Sequence, residues 1–155
     1  YIDFNSILRE RSRTYFLIKN LATDTAKNYF LADLSTYDNA NMEEIISHRL
    51  KRIHDLAVIN GKWILFVICP YEYQLRQSSN SNHISIKPQK MIMEVARKAK
   101  LPIIDLLPLF KNHLAKTKQK ATFLFIFGDP MHFSLTGHQV AAQCILDELG
   151  KRRLN

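Results

Sequence analysis

Near the end of the chain an aspartate and a histidine stand three residues apart, in Gly128-Asp129-Pro130-Met131-His132-Phe133-Ser134-Leu135-Thr136-Gly137-His138, which runs straight into Val140-Ala141-Ala142. So short a tether can hold a carboxylate oxygen against one nitrogen of the imidazole ring. That contact fixes the tautomer and leaves the other nitrogen free to take a proton from a nucleophile. Asp129 and His132 are therefore the candidate orienting residue and general base. The same spacing also describes an Asp capping a turn beside an ordinary loop histidine, and these residues alone leave both readings open.

A base needs a nucleophile, and the chain offers no convincing one. Ser134 is too close to His132 along the chain and is well placed to cap the next helix. Ser6 and Ser12 fall on a helical pattern without a strained turn. His54-Asp55 looks like a metal-phosphohydrolase dipeptide, but it lies on an amphipathic helix and lacks partner ligands at suitable spacing, so it reads as a surface pair. His138 is placed to pack or cap. Pro70, Tyr71 and Tyr73 follow an apolar run and are candidates for lining a substrate cleft, with exposed loop tyrosines as the alternative. No metal-ligand spacing occurs, and nothing calls for a cofactor.

Positioning such a pair requires a scaffold. Residues 5 to about 21 predict a helix with Ile7, Leu8, Tyr15, Phe16 and Ile18 as its apolar stripe, and residues 22–40 read as an irregular connection. Asn41 with Glu44 three residues on predicts the start of a second helix. It carries Ile45, Ile46, Leu50, Ile53 and Ala57 inward and ends at Asn60-Gly61. Trp63 to Cys69 is a continuous apolar run, which suits a strand covered on both faces in a parallel sheet. Pro70 breaks it, and Arg76 to Ser85 reads as a polar loop. A helix then starts at Pro88, followed by a short strand over Leu101–Leu106 and a helix over 107–118. Phe123 to Phe127 fits either a strand or a buried helical turn, residues 129–132 a tight loop, and Ser134 the cap of a last helix carrying Ala141, Ala142, Ile145 and Leu149 inward. This βα alternation predicts an α/β protein with a parallel sheet, residues 1–155 forming one domain without internal repeats.

Composition bounds the partners. Of 155 residues, 46% are hydrophobic and 23% charged, as in an ordinary globular domain. No apolar run approaches the ~20 residues of a membrane-spanning helix. The net charge of +8 invites a nucleic-acid reading. Its distribution argues against one, because the cations are spread over helices among acids. The densest group, Lys111, Lys116, Lys118 and Lys120, has no interleaved aromatics to stack on bases. Cys69 and Cys144 are expected to be buried free thiols, which leans towards a reducing, cytoplasmic compartment. The chain opens on Tyr1, so the expectation is a trimmed or fragmentary product, whose targeting segment would be lost with the beginning.

The block Asp129 to Ala142 resembles the closing Asp-x-x-His block of the SGNH (GDSL-type) hydrolases. The upstream order is similar as well, with an apolar strand ending in Pro70, a variable loop, a helix, and Ile104-Asp105-Leu106 on a short strand. The likeness covers roughly residues 41 to 150. It implies a three-layer α/β/α domain with a flavodoxin-like parallel sheet. It also implies a serine esterase or deacylase acting on acyl or acetyl groups of a lipid or a glycan, in which His132 is the base and Asp129 its orienting partner. The family's nucleophile sits in a Gly-Asp-Ser turn, and its oxyanion hole draws on a Gly-x-Asn-Asp block. Neither is here: the only Gly-Asp is Gly128-Asp129, followed by Pro130. The chain is therefore expected to be the C-terminal portion of such an enzyme, supplying Asp and His and inactive alone. The alternative is a non-catalytic carbohydrate- or partner-binding relative.

Overall fold

A computed structural model describes residues 12–77 and 86–153. The chain is mixed α/β and mostly helical, with a small parallel sheet. Helix α1 (Arg13–Ala22) falls within the span predicted for the first helix, but Ile18 is 58% exposed, and Ile7 and Leu8 lie outside the described residues.

The connection expected over 22–40 is instead mostly helical: α2 (Thr25–Leu34) followed by a 3-10 turn (Ser35–Asp38). Asp24 caps α2 by accepting the Lys27 amide at 3.1 Å. Its buried face is just Ala26, Phe30 and Leu34, one residue per turn. A stripe that narrow among Thr, Asp, Asn and Tyr gives a weak periodic signal.

Helix α3 (Met42–Ile59) has the predicted limits, but Asn41 makes no side-chain cap bond and no residue of the helix is fully buried. Leu50 packs into the core, whereas Ile45 and Ile53, expected inward, are exposed. Strand β1 is Phe66–Ile68, shorter than the apolar run that contains it, and Trp63 at the start of the run and Cys69 at its end are exposed. The expectation of two buried thiols is corrected accordingly: both are free, Cys69 is exposed and Cys144 half-buried.

After the short helix α4 (Glu72–Arg76) and helix α5 (Lys87–Lys98), strand β2 (Ile103–Asp105) pairs parallel to β1, Phe66 opposite Ile103 and Ile68 opposite Asp105. Alternation sorts the two strands' side chains between two cores. Ile68 and Ile103 join Ala96 and Leu101, with Leu50, Phe66 and Ile92 packed against them. Ile104, with Val67 packed alongside, joins the larger core of α6 (Leu106–Thr117) and α7 (Leu135–Arg153). Helices thus lie against both faces of the pair, as an unalternating apolar strand requires.

The segment before α7 is a hairpin that the sequence does not announce. A 3-10 turn (Ala121–Leu124) leads into β3 (Phe125–Ile126), which pairs antiparallel with β4 (Asp129–Phe133). Both readings of Phe123–Phe127 are therefore partly realised, and the expected loop at 129–132 is a strand. Gly128 makes the reversal possible, taking φ +77° at the turn. Phe133 anchors the hairpin, its ring centroid 5.1 Å from Phe110 and 5.3 Å from Phe125. No helix among the described residues is long and apolar enough to cross a membrane.

Candidate functional site

Strand β4 buries Pro130 and Phe133 and leaves Met131 and His132 exposed. Asp129, its first residue, uses both carboxylate oxygens. Oδ1 accepts the amides of Met131 and His132, each at 3.2 Å, and Oδ2 lies 2.7 Å from Nδ1 of His132. The two amide bonds lock the carboxylate rotamer, which is then already aimed at the ring. Partial burial works against ionisation of Asp129, but the bonds from the His132 ring and the two amides outweigh it, holding the carboxyl below its ordinary range. An ionised carboxylate only accepts, so the bond puts the proton of neutral His132 on Nδ1. Nε2 then carries the lone pair. Its side chain is 71% exposed, and Nε2 makes no hydrogen bond among the described residues.

Next to this pair lies an open cleft of about 720 Å³ lined by the hairpin, α2 and α4. Phe123, Phe125, Ile126, Phe127 and Asp129 form one wall; Asp24, Ala26, Glu72 and Arg76 form the other. Asp129 belongs to the wall, while His132 stands outside it on the open surface.

The candidate cleft residues after β1 are not in that wall. Pro70 is buried. The Tyr71 hydroxyl donates to Asp33 Oδ2, its ring meets Phe30 edge-on at 5.6 Å, and the Tyr73 ring lies 5.4 Å from the same Phe30. Burial first, and then the bond to Asp33, push the Tyr71 phenol well above its ordinary range. The two tyrosines therefore fasten α4 to α2. Glu72 and Arg76, one turn apart on α4, reach the cleft in their place.

Arg76 is a site residue that the sequence did not single out. It donates to Asp24 Oδ1 at 2.5 Å, and its Nε is 3.4 Å from Glu72. Asp24 is lowered: burial opposes, and the Arg76 bond and Lys27 amide prevail. Glu72 is raised, because burial exceeds what Arg76 returns and Asp24 adds repulsion. The i,i+4 spacing of Glu72 and Arg76 was readable, but no local signal joins Arg76 to Asp24, 52 positions away.

The remaining candidates are structural. Ser134 donates its hydroxyl to the Phe123 carbonyl at 2.7 Å and accepts the Gly137 amide at 3.2 Å, so its proton is committed to Phe123 and its lone pair to the cap of α7. Ser12 accepts the Tyr15 amide at 3.1 Å, and Ser6 lies outside the described residues, as does most of the expected loop, 78–85. His54 and Asp55 stand 3.6 Å apart on α3. No group of three His, Cys, Asp or Glu side chains is placed to hold a metal among the described residues. His138 packs edge-on against Phe133 at 5.7 Å.

Neither a family model, nor a curated protein, nor a solved structure matches this chain.

Proposed function

We propose that this chain provides the acid–base half of a serine esterase or deacylase of SGNH type, within a three-layer α/β/α domain. The observation that supports this most is the Asp129–His132 contact at 2.7 Å, with Nε2 left unbonded among the described residues. Helices on both faces of the parallel pair agree with the layer arrangement. In this reading a serine outside these residues attacks the carbonyl carbon of an acyl or acetyl ester. Nε2 of His132 accepts the hydroxyl proton as the Oγ–C bond forms, and returns it to the departing alcohol as the C–O bond breaks. A water molecule, deprotonated by the same nitrogen, then releases the acyl group from the serine. Asp129 holds the ring and stabilises the imidazolium in both steps. A positioned base is worth about 10²–10⁴-fold.

The test compares two proteins on p-nitrophenyl acetate: the 155 residues alone, and any longer chain encoded by the gene that carries them. The first is expected to show no turnover above that of free imidazole, and the second to turn over. His132→Ala in the second should remove about 10²-fold or more of the rate while leaving the circular dichroism unchanged. Undiminished turnover in that variant would refute the assigned role. A longer protein that is folded, inert and unreactive towards fluorophosphonates would favour the non-catalytic binding module.

A further inference from the structure

The outer face of α3 is more apolar than its packing explains. Its inner stripe is Ile46, Leu50, His54 and Ala57, all half-buried. Residues two positions further on point about 200° away, and two of these are Leu56, 52% exposed, and Ile59, 80% exposed. With Lys51 and Arg52 they line an open groove along the helix. The chain then folds back on the helix end, the Lys62 amide donating to the Ala57 carbonyl at 2.8 Å, and Trp63 follows directly, 69% exposed. Exposed Leu56 and Ile59 are thus edged by Lys51 and Arg52, with Asp55 the acid among them, and Lys62 and Trp63 follow just past the helix end, on a chain of net charge +8. The other acids of α3, Glu43 and Glu44, sit in its first turn at the far end.

We propose that this face docks on an anionic phospholipid surface. Ile59 and Trp63 enter the boundary between headgroups and acyl chains, and the long stems of Lys51, Arg52 and Lys62 lie along it with their charges at the phosphates. A lipid surface suits this composition better than a second copy of the chain. A two-fold contact would set Lys51 and Arg52 against the same residues of the copy, which like charges oppose, and lysine is depleted from protein interfaces.

Trp63 is the only tryptophan of the chain and lies four residues past Ile59, so its emission reports on this end of α3. The 155-residue chain is mixed with phosphatidylcholine vesicles with and without phosphatidylserine, and both sedimentation and emission are followed. Co-sedimentation and a blue shift are expected with phosphatidylserine only, both weakened by high salt. Each cation near such a surface contributes about fivefold in partitioning. Lys51→Gln with Arg52→Gln should therefore lower it about 25-fold, and Ile59→Ser should weaken it with unchanged circular dichroism. Absence of co-sedimentation or of the blue shift with phosphatidylserine would overturn the proposal, as would unaltered partitioning in these variants. So would a concentration-dependent doubling of mass that the same variants abolish, which would assign the face to a second copy.

Discussion

Gly137 lies in the first turn of α7, where the helix crosses the 3-10 turn that precedes the hairpin. A Cβ at this position would stand 2.0 Å from the Leu124 carbonyl oxygen and 3.0 Å from both the Leu124 carbonyl carbon and the Phe133 Cβ. Carbon and oxygen normally approach to about 3.3 Å, so Gly137→Ala forces helix and turn more than ~1 Å apart. The obstacle is backbone, and the same carbonyl accepts the Ser134 amide at 3.0 Å, so neither partner can yield by rotating a side chain. Overpacking costs about 1–3 kcal/mol, and a backbone clash belongs at the upper end. Alanine returns about 1 kcal/mol of helix propensity. The net loss is about 2 kcal/mol, roughly 30-fold in the folded-to-unfolded ratio. Urea denaturation measures it. With a slope of ~2 kcal/mol/M the midpoint should fall by about 1 M at unchanged slope. Gly150→Ala is the control, since nothing lies within 4 Å of its Cβ. There the propensity acts alone, and stability should rise by up to ~1 kcal/mol. A Gly137→Ala protein as stable as the parent would refute the close approach of α7 to the hairpin.

Three further outcomes follow from the same geometry. Asp129 is lowered in the folded chain, so its contribution is present above the unfolded carboxyl pKa and is lost as pH falls through the folded one. The group is 41% exposed, so the effect is held below about 1 kcal/mol, and Asp129→Asn should flatten that part of the acid limb in urea titrations. Asp105 is raised by burial, against the Leu107 amide that it accepts. Its ionisation therefore opposes folding as pH rises from the unfolded pKa through the folded one, and Asp105→Asn should be the more stable protein at neutral pH, measured by the same titration. Gln74 and Gln89 exchange side-chain amide bonds of 2.7 and 3.0 Å while almost fully buried. Gln74→Leu should cost about 1–3 kcal/mol by stranding Gln89, and adding Gln89→Leu should cost less than the sum of the single changes, as a double-mutant thermal series would show.

Where the fold was legible, one strong local cause was present. Pro88 in the first turn of α5, Asp105 accepting the Leu107 amide at the start of α6, and Ser134 capping α7 each act within three residues, and those elements lie where the sequence puts them. Helix α2 was lost because Ala26, Phe30 and Leu34 are its whole buried face. Helix α3 misled in the opposite sense: apolar residues occur on both sides of it, so periodicity could not tell inner Leu50 from outer Ile53. The hairpin was hidden because β3 is two residues long and β4 contains Pro130, which reads as a loop residue. In the site, the Asp129–His132 contact was legible because a three-residue tether leaves little choice. The bond from Arg76 to Asp24 spans 52 positions and depends on how α2 and α4 pack, which no short window records.

The most direct measurement is the tautomer of neutral His132, read from the nitrogen chemical shifts of the ring in alkaline buffer. The other five histidines of the chain serve as comparison. A proton on Nδ1 and a bare Nε2, lost in favour of Nε2–H when Asp129 is changed to Asn, is the predicted result. A proton on Nε2 in the parent chain would mean that the ring presents a donor where a base is required, and would contradict the assignment.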